Sequence, residues 1–241
     1  MYKVLSFGAH PDDIEIGCGG TEIKLQKNGC KLYHAIMTSG EEGSPDTTPE
    51  KLAEIREKEA LAAAKILGVE ETKFFRFPDG ISFFNKSMRK EVIQYIRNIN
   101  PDIIFLHGSS DHSYDHKVVY NLITSAIGPS QGPWYPELTQ ISPRLKAVFG
   151  YEVWNPINAP GLHIDISSSM NEKMQALKEH KSQLSTIDYD RAIKGLNQFR
   201  GALTGKGEYV ESFEIFEISS ISNTSNFGFP TDSIKIVRVF S

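Results

Sequence analysis

The chain has little of what marks several large classes of protein. Its two cysteines, Cys18 and Cys30, are too few for a disulfide framework and are typical of a reducing compartment. Acidic residues outnumber basic residues by 30 to 26, so the basic excess usual in nucleic-acid-binding proteins is missing. No stretch approaches the roughly 18 apolar residues of a membrane span, and the N-terminus does not resemble a signal peptide. These absences predict a cytoplasmic protein that acts on a small molecule rather than on nucleic acid.

The first two-thirds of the chain alternates short apolar runs with helical patterns. The apolar runs predict strands at residues 4–7, 31–38, 73–77 and 103–106. Helices are predicted at residues 19–27, 49–67, 86–98 and 116–127. Strands that alternate with helices favour right-handed crossovers and a parallel sheet covered on both faces. We therefore expect an α/β fold, a Rossmann-like three-layer sandwich with a mostly parallel central sheet, in a single domain over residues 1–241.

The last third of the chain is less regular. Residues 128–143 are rich in Gly, Pro, Ser and aromatic residues and predict a long loop, at the rim of a pocket or at a contact within a homo-oligomer. A strand is predicted within residues 145–154, a helix at about 170–184 and a closing strand at 209–218. The Ser/Asn-rich stretch at 219–229 predicts a loop or a partner contact.

A histidine and two carboxylates follow the first predicted strand. His10, Asp12 and Asp13 lie where an open α/β sheet binds its ligands, at the carboxyl end of a strand. Imidazole and carboxylate are both good zinc ligands, and one aspartate can bind a metal while its neighbour faces a water on that metal. The alternative is a loop whose aspartates cap the next helix. A nucleotide phosphate loop at residues 17–21 is a further alternative, but the full G-x-G-x-x-G spacing is missing.

A second polar cluster follows the fourth predicted strand. It contains three of the seven histidines, His107, His112 and His116. If the first and fourth strands are central, the two loops converge and His116 completes a three-ligand site with His10 and Asp13. Three protein ligands plus water is the pattern of a catalytic zinc, because a structural zinc has four protein ligands. Asp115 would then orient a ring nitrogen. The alternative is a solvated loop with surface histidines.

These residues resemble a known family. The Ala-His-Pro-Asp-Asp run at 9–13, followed by Gly-Cys-Gly-Gly-Thr at 17–21, is similar to the signature of the PIG-L/LmbE-like zinc N-deacetylases. The Asp-His-Lys-Val-Val run at 115–119 resembles that family's second motif, and further similarity extends over roughly residues 3–216. The resemblance implies a zinc-dependent hydrolase that removes an N-acetyl group from an N-acetylglucosamine-type sugar, sugar nucleotide or glycoconjugate. The attacking group would be a metal-bound water.

The resemblance also assigns residues by position. It implies zinc, or another divalent metal, bound by His10, Asp13 and His116. It implies Asp12 as the general base and Arg56 as a substrate-binding residue. The family usually places a catalytic histidine two residues before the Asp-His pair, where this chain has Ser113. The neighbouring His112 is therefore the candidate for that catalytic role.

Two other functions are alternatives. A catalytically silent metal- or sugar-binding homologue is supported by Ser113, and the intact first cluster argues against it. A nucleotide-binding oxidoreductase would need an acidic residue at the end of the second strand, where Thr38 stands. The remaining histidines, His34, His163 and His180, are assigned to structure or surface, and His107 is given no role.

Overall fold

Strands and helices alternate along the computed structural model, which describes residues 1–138, 141, 145–184 and 187–218. The strands are β1 (Lys3–Gly8), β2 (Lys31–Ile36), β3 (Val69–Phe74), β4 (Ile103–His107), β5 (Ala147–Tyr151), β6 (Leu162–Asp165) and β7 (Val210–Ile218). The helices are α1 (Asp13–Lys27), α2 (Pro49–Leu67), α3 (Lys86–Ile99), α4 (Tyr114–Ser130), α5 (Met170–Leu177), α6 (Lys181–Leu184) and α7 (Tyr189–Thr204).

The strands form one sheet of seven, in the order β3-β2-β1-β4-β5-β7-β6. The pairs β1–β2, β1–β4, β2–β3 and β4–β5 are parallel, and only β7 runs against its two neighbours. The chain order reverses between β1 and β4, which pair directly. The loops that follow these two strands therefore emerge side by side at the carboxyl edge of the sheet.

Helices cover both faces of this sheet. Helices α1, α2, α5 and α7 pack on one face, and α3 and α4 pack on the other. Each face of the sheet therefore has its own hydrophobic core. Successive residues of β1 point to opposite faces, so Val4 packs in one core and Leu5 in the other. The expected α/β sandwich with a mostly parallel sheet is confirmed.

Helix α2 has the end signals that the sequence predicts. The hydroxyl of Thr48 accepts a hydrogen bond from the backbone N–H of Lys51, and Pro49 occupies the first turn, where no partner for its nitrogen is needed. Gly68 ends the helix at a φ of 75°, a left-handed conformation that glycine adopts without strain.

Helix α1 begins at Asp13, six residues before the predicted start at residue 19. Glycine is a poor helix former, so the glycines at 17, 19 and 20 obscured the true start of the helix, but packing overrides their low helix preference. A Cβ atom at Gly17 would lie 2.2 Å from the ring of Tyr151, and one at Gly20 would lie 2.8 Å from Ile166. The glycines therefore let α1 approach β5 and the segment after β6 closely, and the phosphate-loop alternative is wrong.

Other boundaries also differ from the prediction. Strand β3 begins four residues before its predicted start. The strand is polar and half-exposed, so no apolar run in the sequence marks it. The helix predicted at 170–184 is divided into α5 and α6, and α7 was not predicted. Residues 219–229 lie outside the described part of the chain. Within that part, no helix is long and apolar enough to cross a membrane.

Candidate metal centre

A cavity of about 340 Å³ opens at the carboxyl edge of the sheet, where the loops after β1 and β4 meet. Its lining includes His10, Asp12, Asp13, Arg56, Asp79 and Asp115. The two polar clusters, about a hundred residues apart in the chain, therefore converge as expected for neighbouring strands of a parallel sheet.

His10, Asp13 and His116 each offer one ligand atom, and these atoms lie within 4.8 Å of one another. Nε2 of His116 is 3.3 Å from Oδ1 of Asp13, and Nδ1 of His10 is 3.6 Å from Oδ2 of the same carboxylate. His116 is fully buried, and its Nε2 makes no hydrogen bond within the described residues. An unpartnered buried polar atom is costly, so this nitrogen facing a carboxylate fits a bound cation. One carboxylate and two imidazoles are a donor set that suits zinc.

The second ring nitrogen of His116 faces Asp111, with Nδ1 3.1 Å from Oδ2. Burial lowers the pKa of His116, but the charges of Asp13 and Asp111 outweigh burial and raise that pKa to about 9. The negative potential that holds a proton on this imidazole also favours a metal ion. A carboxylate behind a histidine ligand is also the usual way of fixing the ring orientation. The sequence reasoning gave Asp111 no role.

His10 is oriented through its other nitrogen by two carboxylates. Nε2 of His10 lies 3.0 Å from Oδ2 of Asp115 and 3.1 Å from Oδ1 of Asp79. Asp115 thus acts on His10, across the cavity, rather than on the adjacent His116. The sequence reasoning gave Asp79 no role, although it follows the third predicted strand, at residues 73–77, by two residues.

Asp12 precedes the first residue of α1 in an unusual backbone conformation. Its φ is 117°, in a region that favours glycine, and such strain costs on the order of 1–3 kcal/mol. The residue is 5% exposed and lines the cavity. Burial and the nearby Asp13 raise the pKa of Asp12 to about 6, although Arg56 opposes this. A carboxylate with a pKa in this range is suited to exchange protons near neutral pH.

Arg56 extends from α2 toward the same loop and is 4% exposed. Its Nη2 donates to the carbonyl oxygen of Pro11 at 2.8 Å and lies 3.4 Å from Oδ2 of Asp12. Its Nη1 donates to the carbonyl oxygen of Gly40 at 3.0 Å. The sequence-predicted Arg56 and Asp12 are therefore brought together.

His112 is not brought into the cavity. It is exposed, and both its backbone N–H and its ring Nδ1 contact Oδ1 of Asn155. The half-buried Ser113 lines the cavity instead. The catalytic role expected for His112 has no support in this geometry. Its side chain faces solvent, and the next residue, Ser113, is the one that reaches the cavity.

His107 lies beside two of the candidate ligands, Asp13 and His116, although it was given no role. It is fully buried, and its ring stacks on that of His116 with centroids 3.9 Å apart. Its Nε2 accepts a hydrogen bond from the backbone N–H of Ala9 at 3.0 Å. Burial and the nearby His116 lower the pKa of His107 to about 4, so the ring is neutral. It therefore fixes the β1 loop against the candidate ligand on α4.

Of the other histidines, His34 and His180 are buried, as a structural role predicts, but His180 is close to the site. Its Nε2 lies 3.5 Å from Oε2 of Glu15 in α1. Residues 128–143 were expected at the pocket rim or at a contact within a homo-oligomer; none of their described residues, 128–138 and 141, lines this cavity, and the oligomer contact stays a prediction. Trp154 and Tyr189 line it instead, with ring centroids 5.7 Å apart.

Several known proteins are similar to this chain in sequence and in fold. The chain is 28% identical to the diacetylchitobiose deacetylase of Thermococcus kodakarensis over 190 residues, which are 75% of this chain and 70% of that protein. It is 25% identical to the 4-oxalmesaconate hydratase of Pseudomonas putida over 187 residues, 73% of this chain and 72% of that protein. The solved structure of the N,N'-diacetylchitobiose deacetylase from Pyrococcus horikoshii superposes with a TM-score of 0.81, 26% identity and coverage of 89% of this chain and 84% of that one.

The family model for the GlcNAc-PI de-N-acetylases, named PIG-L, matches residues 5–127. That range is half of the chain and contains every residue of the candidate metal centre, from β1 to the first turn of α4. The chain is therefore a member of the PIG-L family.

Proposed function

We propose that the protein is a zinc-dependent N-deacetylase that removes the acetyl group from an N-acetylglucosamine-type sugar, sugar nucleotide or glycoconjugate. Family membership and the deacetylase names of its relatives support the reaction class. The observation that carries the proposal is the approach of His10, Asp13 and His116 to within 4.8 Å of one another, with the buried Asp12 in the same cavity.

His10, Asp13 and His116 would hold the metal. A zinc ion bound by three protein ligands polarises a carbonyl oxygen and lowers the pKa of water toward about 7. Imidazole and carboxylate also bind other divalent metals, so zinc is the first metal to test rather than the only one that the donors accept.

Asp12 moves the proton in this proposal. Its carboxylate accepts a proton from the water that attacks the acetamide carbonyl carbon. When the C–N bond breaks, the protonated Asp12 donates that proton to the amine nitrogen, and the products are acetate and a free amino sugar. A pKa of about 6 lets one carboxylate accept and then release the proton near neutral pH.

Asp79, Asp111 and Asp115 contribute by holding the two imidazoles. Their carboxylates lie 3.0–3.1 Å from the ring nitrogens of His10 and His116, on the side of each ring away from Asp13, and would fix the orientation of both rings. His112 receives no role, because it lies outside the cavity lining.

The test is to incubate the purified protein with N-acetylated mono- and disaccharides and sugar nucleotides, with and without added zinc, and to measure free amine and acetate. We expect equal amounts of both products from at least one substrate. A protein that contains no zinc even after zinc supplementation would contradict the metal assignment. Metal-loaded protein that releases no amine from any of them would contradict the deacetylase assignment.

Hydration of a carbon–carbon double bond is the second candidate, because one relative is named a hydratase. That reaction also requires an activated water and a proton-transfer group, which a metal held at this site and Asp12 would supply. The same screen therefore includes 4-oxalmesaconate, followed by its ultraviolet absorbance. Turnover of this compound without amine release from any acetylated sugar would favour the hydratase.

A further inference from the structure

We propose that Trp154 is a substrate-binding residue, and that its indole forms the surface on which the pyranose ring of the acetamido sugar rests. This inference rests on the proposed function, because it takes the substrate to be a sugar. The sequence reasoning gave Trp154 no role.

Trp154 follows the end of β5 and lines the cavity. The residue is 40% exposed, so a large part of its apolar ring lies against water. The ring is not an isolated surface aromatic, because Ile16, Val153 and Tyr189 line the same cavity. An exposed aromatic ring beside further apolar residues in a cavity with polar groups is typical of a small-molecule site.

The loop that carries Trp154 is held on both sides of this residue. Before it, Glu152 forms a buried ion pair with Arg200 of α7. After it, the carbonyl oxygen of Ile157 accepts a hydrogen bond from Nη2 of the same arginine at 2.7 Å. An exposed ring on a fixed loop is already in place for a ligand, which lowers the entropic cost of binding.

The same loop is tied to the candidate metal centre through Asp111. The backbone N–H of Trp154 donates to Oδ2 of Asp111 at 3.2 Å, and that oxygen lies 3.1 Å from Nδ1 of His116. One carboxylate therefore contacts both a candidate metal ligand and the loop of the indole. This contact sets the position of the loop relative to the reaction centre.

The cavity has an acidic side and an apolar side. Strands β2 and β3 lie on one side of the β1–β4 pair, and the loops after them contribute Glu42 and Asp79. Strand β5 lies on the other side, and Val153 and Trp154 follow it. The ring of Tyr189 lies 5.7 Å from that of Trp154 and extends the apolar side.

A pyranose ring has the same division. Its hydroxyl groups project from the edge, where carboxylates can accept hydrogen bonds, and its ring face presents C–H groups. Placing that face against an indole removes apolar surface from water on both partners. The two sides of the cavity therefore match the two kinds of surface that an acetamido sugar offers.

Loss of the indole should weaken substrate binding without changing the chemistry. A residue that contacts the substrate equally in the ground state and the transition state changes KM and leaves kcat unchanged. We expect Trp154→Ala to raise KM for N,N'-diacetylchitobiose about tenfold, with kcat within about threefold of wild type and with full zinc content. Trp154→Phe keeps an aromatic face and should raise KM by less than about threefold.

The chain has one other tryptophan, Trp134, which provides the matched control. Trp134 is also exposed, but it lies outside the lining of this cavity. Trp134→Ala should therefore leave both KM and kcat as in the wild type.

A second measurement does not depend on turnover. Trp134→Phe leaves Trp154 as the single tryptophan of the chain, so the tryptophan fluorescence reports on that ring alone. Asp12→Asn is added to stop hydrolysis, and the zinc-loaded protein is titrated with N,N'-diacetylchitobiose. We expect a saturable shift of the emission to shorter wavelength, because the sugar displaces water from the indole. Calorimetric titration of the same sample measures the affinity independently.

The outcomes separate this inference from the proposed function. An unchanged KM in Trp154→Ala, or calorimetric binding without a fluorescence shift, would overturn the role of Trp154 while deacetylation by the wild type stands. A saturable shift with a wild-type protein that releases no amine would support the contact and refute the proposed function. A protein that neither binds nor deacetylates any acetamido sugar would refute both.

Discussion

Oδ2 of Asp111 lies 3.1 Å from Nδ1 of His116, on the ring edge opposite the nitrogen that faces Asp13. Carboxylates in this position orient a metal-binding imidazole and increase its basicity, and their loss typically costs 10–100-fold in metal affinity. We expect Asp111→Asn to weaken zinc binding by about that factor, measured by competition with a chromophoric chelator. The exposed Asp46→Asn is the control, and Asp111→Asn protein that binds zinc as tightly as this control would contradict the orienting role.

Replacement of Asp12 tests the proposed base. Asp12→Asn keeps the size of the side chain but removes its ability to accept a proton. We expect the purified variant to retain zinc and to lose at least about 100-fold in turnover, the usual contribution of a general base. Metal analysis and amine release on the same sample check both halves of this prediction. Amine release at the wild-type rate would exclude Asp12 as the base.

Replacement of His112 tests the position of the exposed loop. Because His112 faces solvent and Asn155 rather than the cavity, we expect His112→Ala to change kcat by less than about threefold. The measurement is kcat on the substrate that the screen identifies. A loss of tenfold or more would show that residues 109–113 rearrange when substrate binds and would return His112 to the catalytic set.

Gly17 tests the close packing of α1 on the sheet. A methyl group there would overlap the buried ring of Tyr151, so we expect Gly17→Ala to lower the free energy of unfolding by about 1–3 kcal/mol. Gly195→Ala is the matched control, since Gly195 is exposed in α7 and a Cβ atom there meets nothing within 4 Å. Urea unfolding should show that this control is more stable than wild type by up to about 1 kcal/mol. A Gly17→Ala protein as stable as wild type would show that α1 can move.

The buried pair of His34 and Glu22 predicts a pH-dependent stability. Nε2 of His34 lies 2.8 Å from Oε2 of Glu22. Burial lowers the pKa of His34, but Glu22 raises it by more, and the net pKa lies above the ordinary 6.5. A raised folded-state pKa contributes stability in full below pH 6.5 and loses it as the pH rises through the folded-state value.

His34→Gln isolates this contribution. We expect it to destabilise the protein by about 3–5 kcal/mol near pH 6, since it leaves a buried carboxylate without its charged partner, and by less near pH 9. Urea unfolding of both proteins across this range checks the sign. A difference that stays constant or grows with pH would show that His34 is neutral in the folded protein.

The sequence predicted the layout of the site because the layout follows from strand ends. Two clusters of polar residues after two apolar runs, together with the rule that parallel strands end at one edge, bring His10 and His116 together. The strand order, which makes β1 and β4 neighbours, came from the expected fold rather than from the residues themselves.

The sequence could not predict how deeply individual polar side chains are buried. Arg56 is 4% exposed and lies between the loops after β1 and β2, and no pattern of residue types records that depth. Helix α7 was not predicted because part of its buried face is polar. Its buried face includes Asn197 and Arg200, which bond to Lys173 and Glu152, so polar residues interrupt the apolar residues of that face.

The pairing of β1 with β4 has a consequence for folding. Asp13 and His116 are separated by roughly a hundred residues of chain, so an ion held by both would act as a cross-link that closes a long loop. Such an ion binds the folded chain in preference to the unfolded one and increases its stability with metal concentration. Metal supply would then govern the stability of the protein as well as its proposed chemistry, and a chelator would loosen the loops after β1 and β4 that carry the candidate ligands.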